Sequence, residues 1–177
     1  MMRRPISIFA ALLAVAGIAS AVSHVGPTPP DVTAVDVTAV DITAELDAYW
    51  AELSRTVKEG DFEGYGAGYH PDAVLASTFS DNSYPIADAL QEWKQLFVDT
   101  HEGRMEASVE FRFTQRLHDA TTAHETGMFL YSITGADGSK TDQYIHFEAL
   151  LVKKDGWKMV MEYQKSVASE EEWATAE

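Results

Sequence analysis

The sequence YIHFEALLVKKDGWKMVMEYQ, residues 144–164, predicts a β-hairpin around which the rest of the chain can be arranged. Two runs rich in β-branched, aromatic and other apolar residues, 144–152 and 157–164, flank the pair Asp155-Gly156. An Asp-Gly pair between two such runs is a strong signal for a tight hairpin turn. We therefore expect two neighbouring antiparallel strands.

Alternation along the first strand separates two faces, because successive side chains of a strand point to opposite sides of the sheet. His146 and Glu148 share one face, where an imidazole beside a carboxylate can perform acid–base chemistry or form a hydrogen-bonded pair at the sheet rim. A two-residue turn places Glu148 opposite Tyr163 and His146 opposite Lys165, whereas a bulge would change this register. The other face is apolar and consists of Ile145, Phe147, Ala149 and Leu151.

The expected neighbours of Glu148 predict the direction of its pKa shift. Leu150 shares its face and Tyr163 lies opposite, and loss of hydration favours the neutral form of a carboxyl group. We therefore expect the pKa of Glu148 to lie above the ~4.3 of a free glutamate. A charged His146 close to the carboxylate would reverse the shift.

Composition and charge limit the classes of function. The chain has 177 residues, 46% of them hydrophobic, which allows one domain with a sizeable core, and it has no cysteine, which excludes disulfides and thiolate chemistry. With 28 acidic against 13 basic residues, the formal net charge is −15. Such a surface repels nucleic-acid phosphates and anionic lipid headgroups, so we expect no nucleic-acid binding and no stable membrane insertion after signal cleavage.

The first 21 residues have the pattern of a secretory signal peptide. Arg3 and Arg4 precede an apolar run over 6–18, and Ala19-Ser20-Ala21 is a small-residue cleavage site. We expect the mature protein to begin at Val22 and to be periplasmic or secreted. An uncleaved membrane anchor is the alternative.

Residues 22–41 have the composition of a low-complexity linker. A five-residue unit begins at Asp31, Asp36 and Asp41, as DVTAV, DVTAV and DITAE. Three short copies are too few for a solenoid, so we expect an extended spacer, with a docking tail as the alternative.

Helical periodicity predicts three helices after the linker. Apolar residues recur at helical spacing over 42–58 and 86–100, and a shorter, glycine-rich helix is expected over 62–69. A short strand, 73–79, is expected between the second and third helices, followed by a turn over 80–83.

The chain then becomes entirely β, so the predicted domain, residues 42–166, has an α+β fold. The acidic residues 167–177 form a tail, as a frayed helix or a disordered segment. A four-stranded antiparallel meander is predicted over 105–117, 122–134, 144–152 and 157–165.

Four short motifs carry a resemblance to a known family. They are Gly60-Asp61-Phe62, Tyr69-His70-Pro71-Asp72-Ala73-Val74-Leu75, Ala123 with Gly127, and Lys154-Asp155-Gly156-Trp157-Lys158. In this order and spacing they resemble the SnoaL-like branch of the nuclear transport factor 2-like superfamily, over about residues 42–166. The resemblance implies helices packed in a curved antiparallel meander sheet, a cone-shaped α+β barrel with a ligand cavity, and dimers formed through the sheet's outer face.

Ketosteroid isomerase belongs to the same superfamily and uses an aspartate base with an oxyanion hole made of a tyrosine and a protonated carboxylic acid. The resemblance places that tyrosine at Leu53, the base at Ser77 and the cavity acid on or near Glu148. Two of the three groups are missing, so we do not expect steroid isomerisation. Glu148 is still expected to line the cavity.

The apolar face of the meander predicts a homodimer, because it is too apolar to remain in water if the helices cover only the other face. The predicted interface residues are Phe111, Phe113, Ile145, Phe147 and Leu151.

Two functions are consistent with these patterns. The first is an exported, non-catalytic module that binds a small, mostly apolar ligand, and the alternative is an isomerase, dehydratase or hydrolase with Glu148 and His146 as its acid–base pair. No cofactor is expected, and no metal, since His124 and Glu125 point to opposite strand faces. The aromatic side chains expected to bind the ligand, unless they are plain core, are Trp50, Tyr65, Tyr69, Trp93, Tyr144 and Tyr163.

Overall fold

The computed structural model describes residues 41–176, so the predicted signal peptide, and the linker up to residue 40, lie outside the described residues. Asp41 caps the first helix by accepting from the backbone N–H of Ala44, and Gly60 ends it at φ 67°, a left-handed conformation that glycine adopts easily. None of the described helices is long and apolar enough to cross a membrane. The helices are α1 (Ile42–Glu59), α2 (Phe62–Ala67), α3 (Ile86–His101) and α4 (Glu170–Thr175).

The described strands form one six-stranded sheet with the order β2-β1-β6-β5-β4-β3. The four predicted strands of the meander are confirmed as β3 to β6, while β1 pairs in parallel with β6 and carries β2 at its outer edge. The segment predicted as a turn over 80–83 thus contains the start of β2. The strands are β1 (Tyr69–Ser77), β2 (Asn82–Pro85), β3 (Met105–His118), β4 (Thr122–Gly135), β5 (Lys140–Lys153) and β6 (Trp157–Val167).

The final hairpin contains irregularities that the alternation pattern does not show. Its loop has three residues, because Lys153 pairs with Trp157, and a β-bulge at position 160 then restores the register. As a result Glu148 lies opposite Tyr163, as predicted. A second shift places His146 opposite Ser166, so the predicted pairing with Lys165 is wrong.

One face of the sheet, called here the inner face, packs against α1 and α3. Phe147 on this face is only 1% exposed and its ring centroid lies 5.7 Å from that of Trp50 on α1. Phe111 and Phe113 contact the same tryptophan at 4.6 and 5.2 Å. The predicted dimer face is therefore wrong, because the helices cover this apolar face within the chain: Ile145, Phe147 and Leu151 are buried, and Phe111 and Phe113 are half-buried.

The opposite face, the outer face, carries α4. Ser169 and Glu172 form a capping box at the start of this helix, and Trp173 packs on Met128 and is 7% exposed. The Arg112 guanidinium lies 4.4 Å from the centre of the Trp173 ring. The acidic tail is thus a short, docked helix, and not a disordered segment.

Candidate functional site

A cavity of about 740 Å³ lies between the inner face and the helices. This volume falls within the ~300–1,000 Å³ typical of small-molecule sites. Its walls are mainly aromatic and aliphatic, with contributions from α1, α2, α3 and every strand of the sheet. Such a surface suits a small and mostly apolar molecule.

The polar end of the cavity is built around Glu162 on β6. Tyr69 on β1 donates its hydroxyl to Glu162 Oε2 at 2.6 Å, and Gln164 Nε2 donates to Oε1 at 2.8 Å. The hydroxyl of Tyr65 on α2 lies 3.1 Å from that of Tyr69. Three side chains from three elements thus form a continuous hydrogen-bonded chain, Tyr65–Tyr69–Glu162, that lines the cavity.

Burial shifts the pKa values of Glu162 and of the tyrosines near it. Glu162 is 7% exposed, and its desolvation raises the pKa of the carboxyl group, while the hydrogen bonds from Tyr69 and Gln164 act in the opposite direction. Burial also raises the pKa values of Tyr65 and Tyr69, and that of the nearby Tyr49. The phenols therefore stay protonated at neutral pH, and Glu162 is the member of the chain that can gain or lose a proton.

Glu162 was not among the predicted site residues because the cavity was expected on the Glu148 face of β5, whereas Glu162 lies opposite Ala149 on the Phe147 face. Met159 faces the core, and strict alternation would then turn position 161 inward and Glu162 outward. Because Leu151 pairs with Met159 and Leu150 with Met161, one extra residue is inserted at Val160 and the parity is reversed. The bulge thus offsets the three-residue loop, and Glu162 lies opposite Ala149, where a two-residue turn would also place it.

Three of the six aromatic side chains predicted to bind a ligand line the cavity: Tyr65, Tyr69 and Trp93. A fourth residue, Tyr144, borders the cavity, but its ring packs on Trp173 of the outer face, with 5.9 Å between the ring centroids. The other two do not line it. Trp50 is buried in the core, where its indole N–H donates to the buried Glu125. Tyr163 neighbours Glu162 on β6 and does not line the cavity.

Glu148 lies outside the cavity, so its predicted position there is wrong. Its carboxylate binds Lys165 Nζ at 2.5 Å and lies 3.2 Å from His124 Nε2. These partners, chiefly Lys165, lower the pKa of Glu148, so the predicted rise is also wrong. The physical reason is that the face of β5 covered by helices is the one bearing Phe147, which leaves Glu148 beside a surface lysine.

His146 is also placed away from the cavity. Its Nε2 lies 3.4 Å from Glu172 Oε1 on α4. The carboxylate beside His146 is therefore that of Glu172 on the outer face, and not that of Glu148. The ketosteroid isomerase resemblance places an acid on or near Glu148, but the carboxyl group that lines the cavity is that of Glu162, which pairs with Ala149 across the two strands.

A second buried carboxylate, that of Glu125, holds α1 on the sheet through hydrogen bonds. It accepts from Trp50 on α1 and from Arg116 on β3, and Arg116 also binds Asp47 on α1. This network ties α1 to the sheet, and Glu125 does not line the cavity. Within residues 41–176, no group of three or more His, Asp or Glu side chains is arranged to hold a metal ion.

Comparison with known proteins supports the fold. No protein-family model and no curated protein sequence matches this chain. A ketosteroid isomerase-like protein from Erwinia carotovora atroseptica superposes with a TM-score of 0.53 at 17% identity, covering 73% of this chain and 98% of that one. ActVI-ORFA from Streptomyces coelicolor does so with a TM-score of 0.56 at 16% identity, covering 71% and 96%.

An NTF-2 like protein from Shewanella oneidensis MR-1 gives a TM-score of 0.54 at 15% identity, with 71% of this chain and 99% of that chain covered. The predicted resemblance is thus confirmed at the level of the fold.

Proposed function

We propose that this chain, which has the nuclear transport factor 2-like fold, binds a small, mostly apolar molecule in the cavity beside Glu162. The observation that carries the proposal is a buried carboxyl group that faces an aromatic cavity, with hydroxyl and amide donors as its only partners among the described residues. A buried carboxyl group without a cation costs folding free energy. Perturbed groups of this kind concentrate at functional sites.

The proposed division of labour within the cavity follows from its chemistry. The apolar walls bury the hydrocarbon part of the ligand, and burial of apolar surface supplies about 25 cal/mol per Å². Glu162 and Tyr65 provide hydrogen-bonding positions at one end, which orient the ligand. The binding role needs no chemical step.

A cavity-filling variant tests this proposal. Ile133→Trp adds bulk to the cavity wall, and Leu150→Trp adds the same side chain at a 38% exposed position outside the cavity. We expect the neutral dye N-phenylnaphthylamine to gain fluorescence with the wild-type chain and with Leu150→Trp, and to lose most of that gain with Ile133→Trp. Equal dye binding by the two variants would show that the dye does not bind in this cavity, and would contradict the proposal.

Proton transfer is the second candidate function, and the hydrogen-bonded chain Tyr65–Tyr69–Glu162 is the observation that favours it. In an isomerase, dehydratase or hydrolase, Glu162 would take a proton from the bound molecule, and a phenol would donate a hydrogen bond to the oxygen that gains charge. An apolar ketone such as tetralone serves as a probe in deuterated water. There Glu162 would remove a proton from the carbon next to the carbonyl group, and a solvent deuteron would replace it.

Catalysis predicts faster deuterium incorporation with the wild-type chain than with Glu162→Gln, as followed by proton NMR. Equal rates with the two proteins, in the presence of measurable tetralone binding, would leave the binding role alone.

Export is a further part of the proposal. It is supported by Arg3 and Arg4, the apolar run and the cleavage-site residues Ala19-Ser20-Ala21. Intact-mass measurement of material from the periplasm or culture medium should give a chain that begins at Val22, and a chain that retains residues 1–21 would contradict it.

A homodimer also stays a prediction, through a surface other than the inner face. Light scattering of the purified protein tests it, and a monomeric mass would contradict it.

A further inference from the structure

The charged groups of the cavity wall have one sign. Glu162 and Asp142 line the cavity, and among the described residues no Lys, Arg or His side chain does. Asp142 is exposed and lies 3.0 Å from Lys140 Nζ, so its charge is compensated. Within residues 41–176, the partners of the Glu162 carboxyl group are the neutral donors Tyr69 and Gln164. The cavity therefore contains one buried acidic group that has no cationic partner among the described residues.

The walls around this group consist largely of aromatic rings. The Tyr65 ring centroid lies 5.0 Å from that of Phe97 and 6.3 Å from that of Trp93, and Phe111 lies 6.4 Å from Phe129. All five rings line the cavity. The faces of aromatic rings carry negative charge density and attract cations, most strongly where water is excluded.

The charge of a ligand decides how well it suits the buried Glu162 carboxyl group and the aromatic rings around it. An anion in the cavity would be repelled by ionised Glu162 at low local dielectric. A neutral molecule leaves the carboxylate without a countercharge, whereas an ammonium ion supplies both the charge and N–H donors. The formal net charge of −15 also raises the local concentration of cations around the protein.

We infer that the ligand is an apolar amine, bound as its ammonium ion with the nitrogen beside Glu162 and the hydrocarbon part among the aromatic rings. This inference rests on the proposed function, because it names the ligand class of the same cavity. It assigns Glu162 the role of counterion and the rings of Tyr65 and Trp93 the role of a cation-attracting wall.

Three probes of similar shape and different charge test the inference. They are the cation of naphthylethylamine, the neutral naphthylethanol and the carboxylate anion of naphthylacetic acid. Their affinities for the full chain are measured by isothermal titration calorimetry at neutral pH and physiological ionic strength. We expect the amine to bind at least about tenfold more tightly than the alcohol, and the acetate to bind most weakly. The wild-type comparison needs no variant, so it stands even if a substitution at Glu162 prevents folding.

Two glutamate variants separate the cavity from the general acidity of the surface. Glu162→Gln should lower the amine affinity about tenfold, to near that of the alcohol, and should change the alcohol affinity much less. Glu148→Gln removes the same charge outside the cavity and should leave the amine affinity as in the wild type.

An alcohol that binds as tightly as the amine, or equal losses of amine affinity in the two variants, would overturn the inference but not the proposed function. Absence of binding by all three probes would overturn both.

Discussion

Glu148 and Glu162 are one cross-strand position apart in the same hairpin, yet their environments are opposite. Glu162 pairs with Ala149 and enters the aromatic cavity, whereas Glu148 pairs with Tyr163 and binds Lys165. Burial raises the pKa of the first carboxyl group, and the lysine lowers the pKa of the second. The difference shows that a carboxylate acquires its chemistry here from the side of the sheet it occupies.

The largest effect expected from this two-sided arrangement concerns Phe147 on the inner face. Phe147→Glu removes a ring that is 1% exposed and buries a charge among other aromatic rings. We expect a loss of more than about 4 kcal/mol in the free energy of unfolding, enough to leave much of the chain unfolded. Urea denaturation followed by circular dichroism measures this loss.

Leu150→Glu is the matched control, because it places the same side chain on the same strand at a 38% exposed position. Its cost should stay below about 1 kcal/mol. Similar losses for the two variants would contradict the assignment of the inner and outer faces.

A smaller effect is expected where α4 covers the outer face. Trp173→Ala removes the ring that packs on Met128 and stacks under Arg112. We expect a loss of about 2–3 kcal/mol, below the largest values for core tryptophans because α4 is a helix of 6 residues on the outer face and can detach without unfolding the sheet. Urea denaturation measures the change, and Glu171→Ala on an exposed position of the same helix should cost less than about 0.5 kcal/mol. If the two variants were equally stable, α4 would not be docked through its tryptophan.

Much of the fold could be predicted from the periodicity of the sequence. The first helix, expected over 42–58, lies at Ile42–Glu59, and the Asp-Gly turn joins the last two strands as expected. The face of the meander that the helices cover could not be predicted in this way. Alternation defines two faces, and in β5 both contain apolar residues, since Leu150 follows Glu148 on the outer side.

The cavity was predicted better than its acidic group. Tyr65 and Tyr69 were among the aromatic side chains expected to bind a ligand, and both line the cavity. Glu162 was missed because the cavity was expected on the Glu148 face of the hairpin, and Glu162 belongs to the opposite, Phe147 face. The parallel pairing of β1 with β6 was missed because it joins segments far apart in sequence.

The pH dependence of stability should distinguish the two glutamates by sign. Glu162 has a raised pKa in the folded state, so its contribution to stability is present below the ordinary glutamate pKa and is lost as the pH rises through the raised value. Glu162→Gln should therefore gain stability relative to the wild type as the pH increases from acid to neutral.

Glu148 has a lowered pKa, so its contribution is present above the ordinary value and is lost as the pH falls through the lowered one. Glu148→Gln should be less stable than the wild type at neutral pH, and the gap should close in acid. Urea denaturation over this pH range measures both differences. If the stabilities of the two variants relative to the wild type changed in the same direction with pH, the contrast between Glu148 and Glu162 would be refuted.

The smallest effect concerns the two partners of Glu148. Lys165 Nζ lies 2.5 Å from one carboxylate oxygen and His124 Nε2 lies 3.2 Å from the other, and the lysine makes the larger contribution to the lowered pKa. Lys165→Gln should therefore raise the pKa of Glu148 toward its ordinary value, and His124→Gln should raise it less. Carboxyl-carbon NMR titration follows the group directly, with Glu148→Gln used to assign its signal. A larger rise in the histidine variant would show that His124, and not Lys165, holds the charge on this face of the sheet.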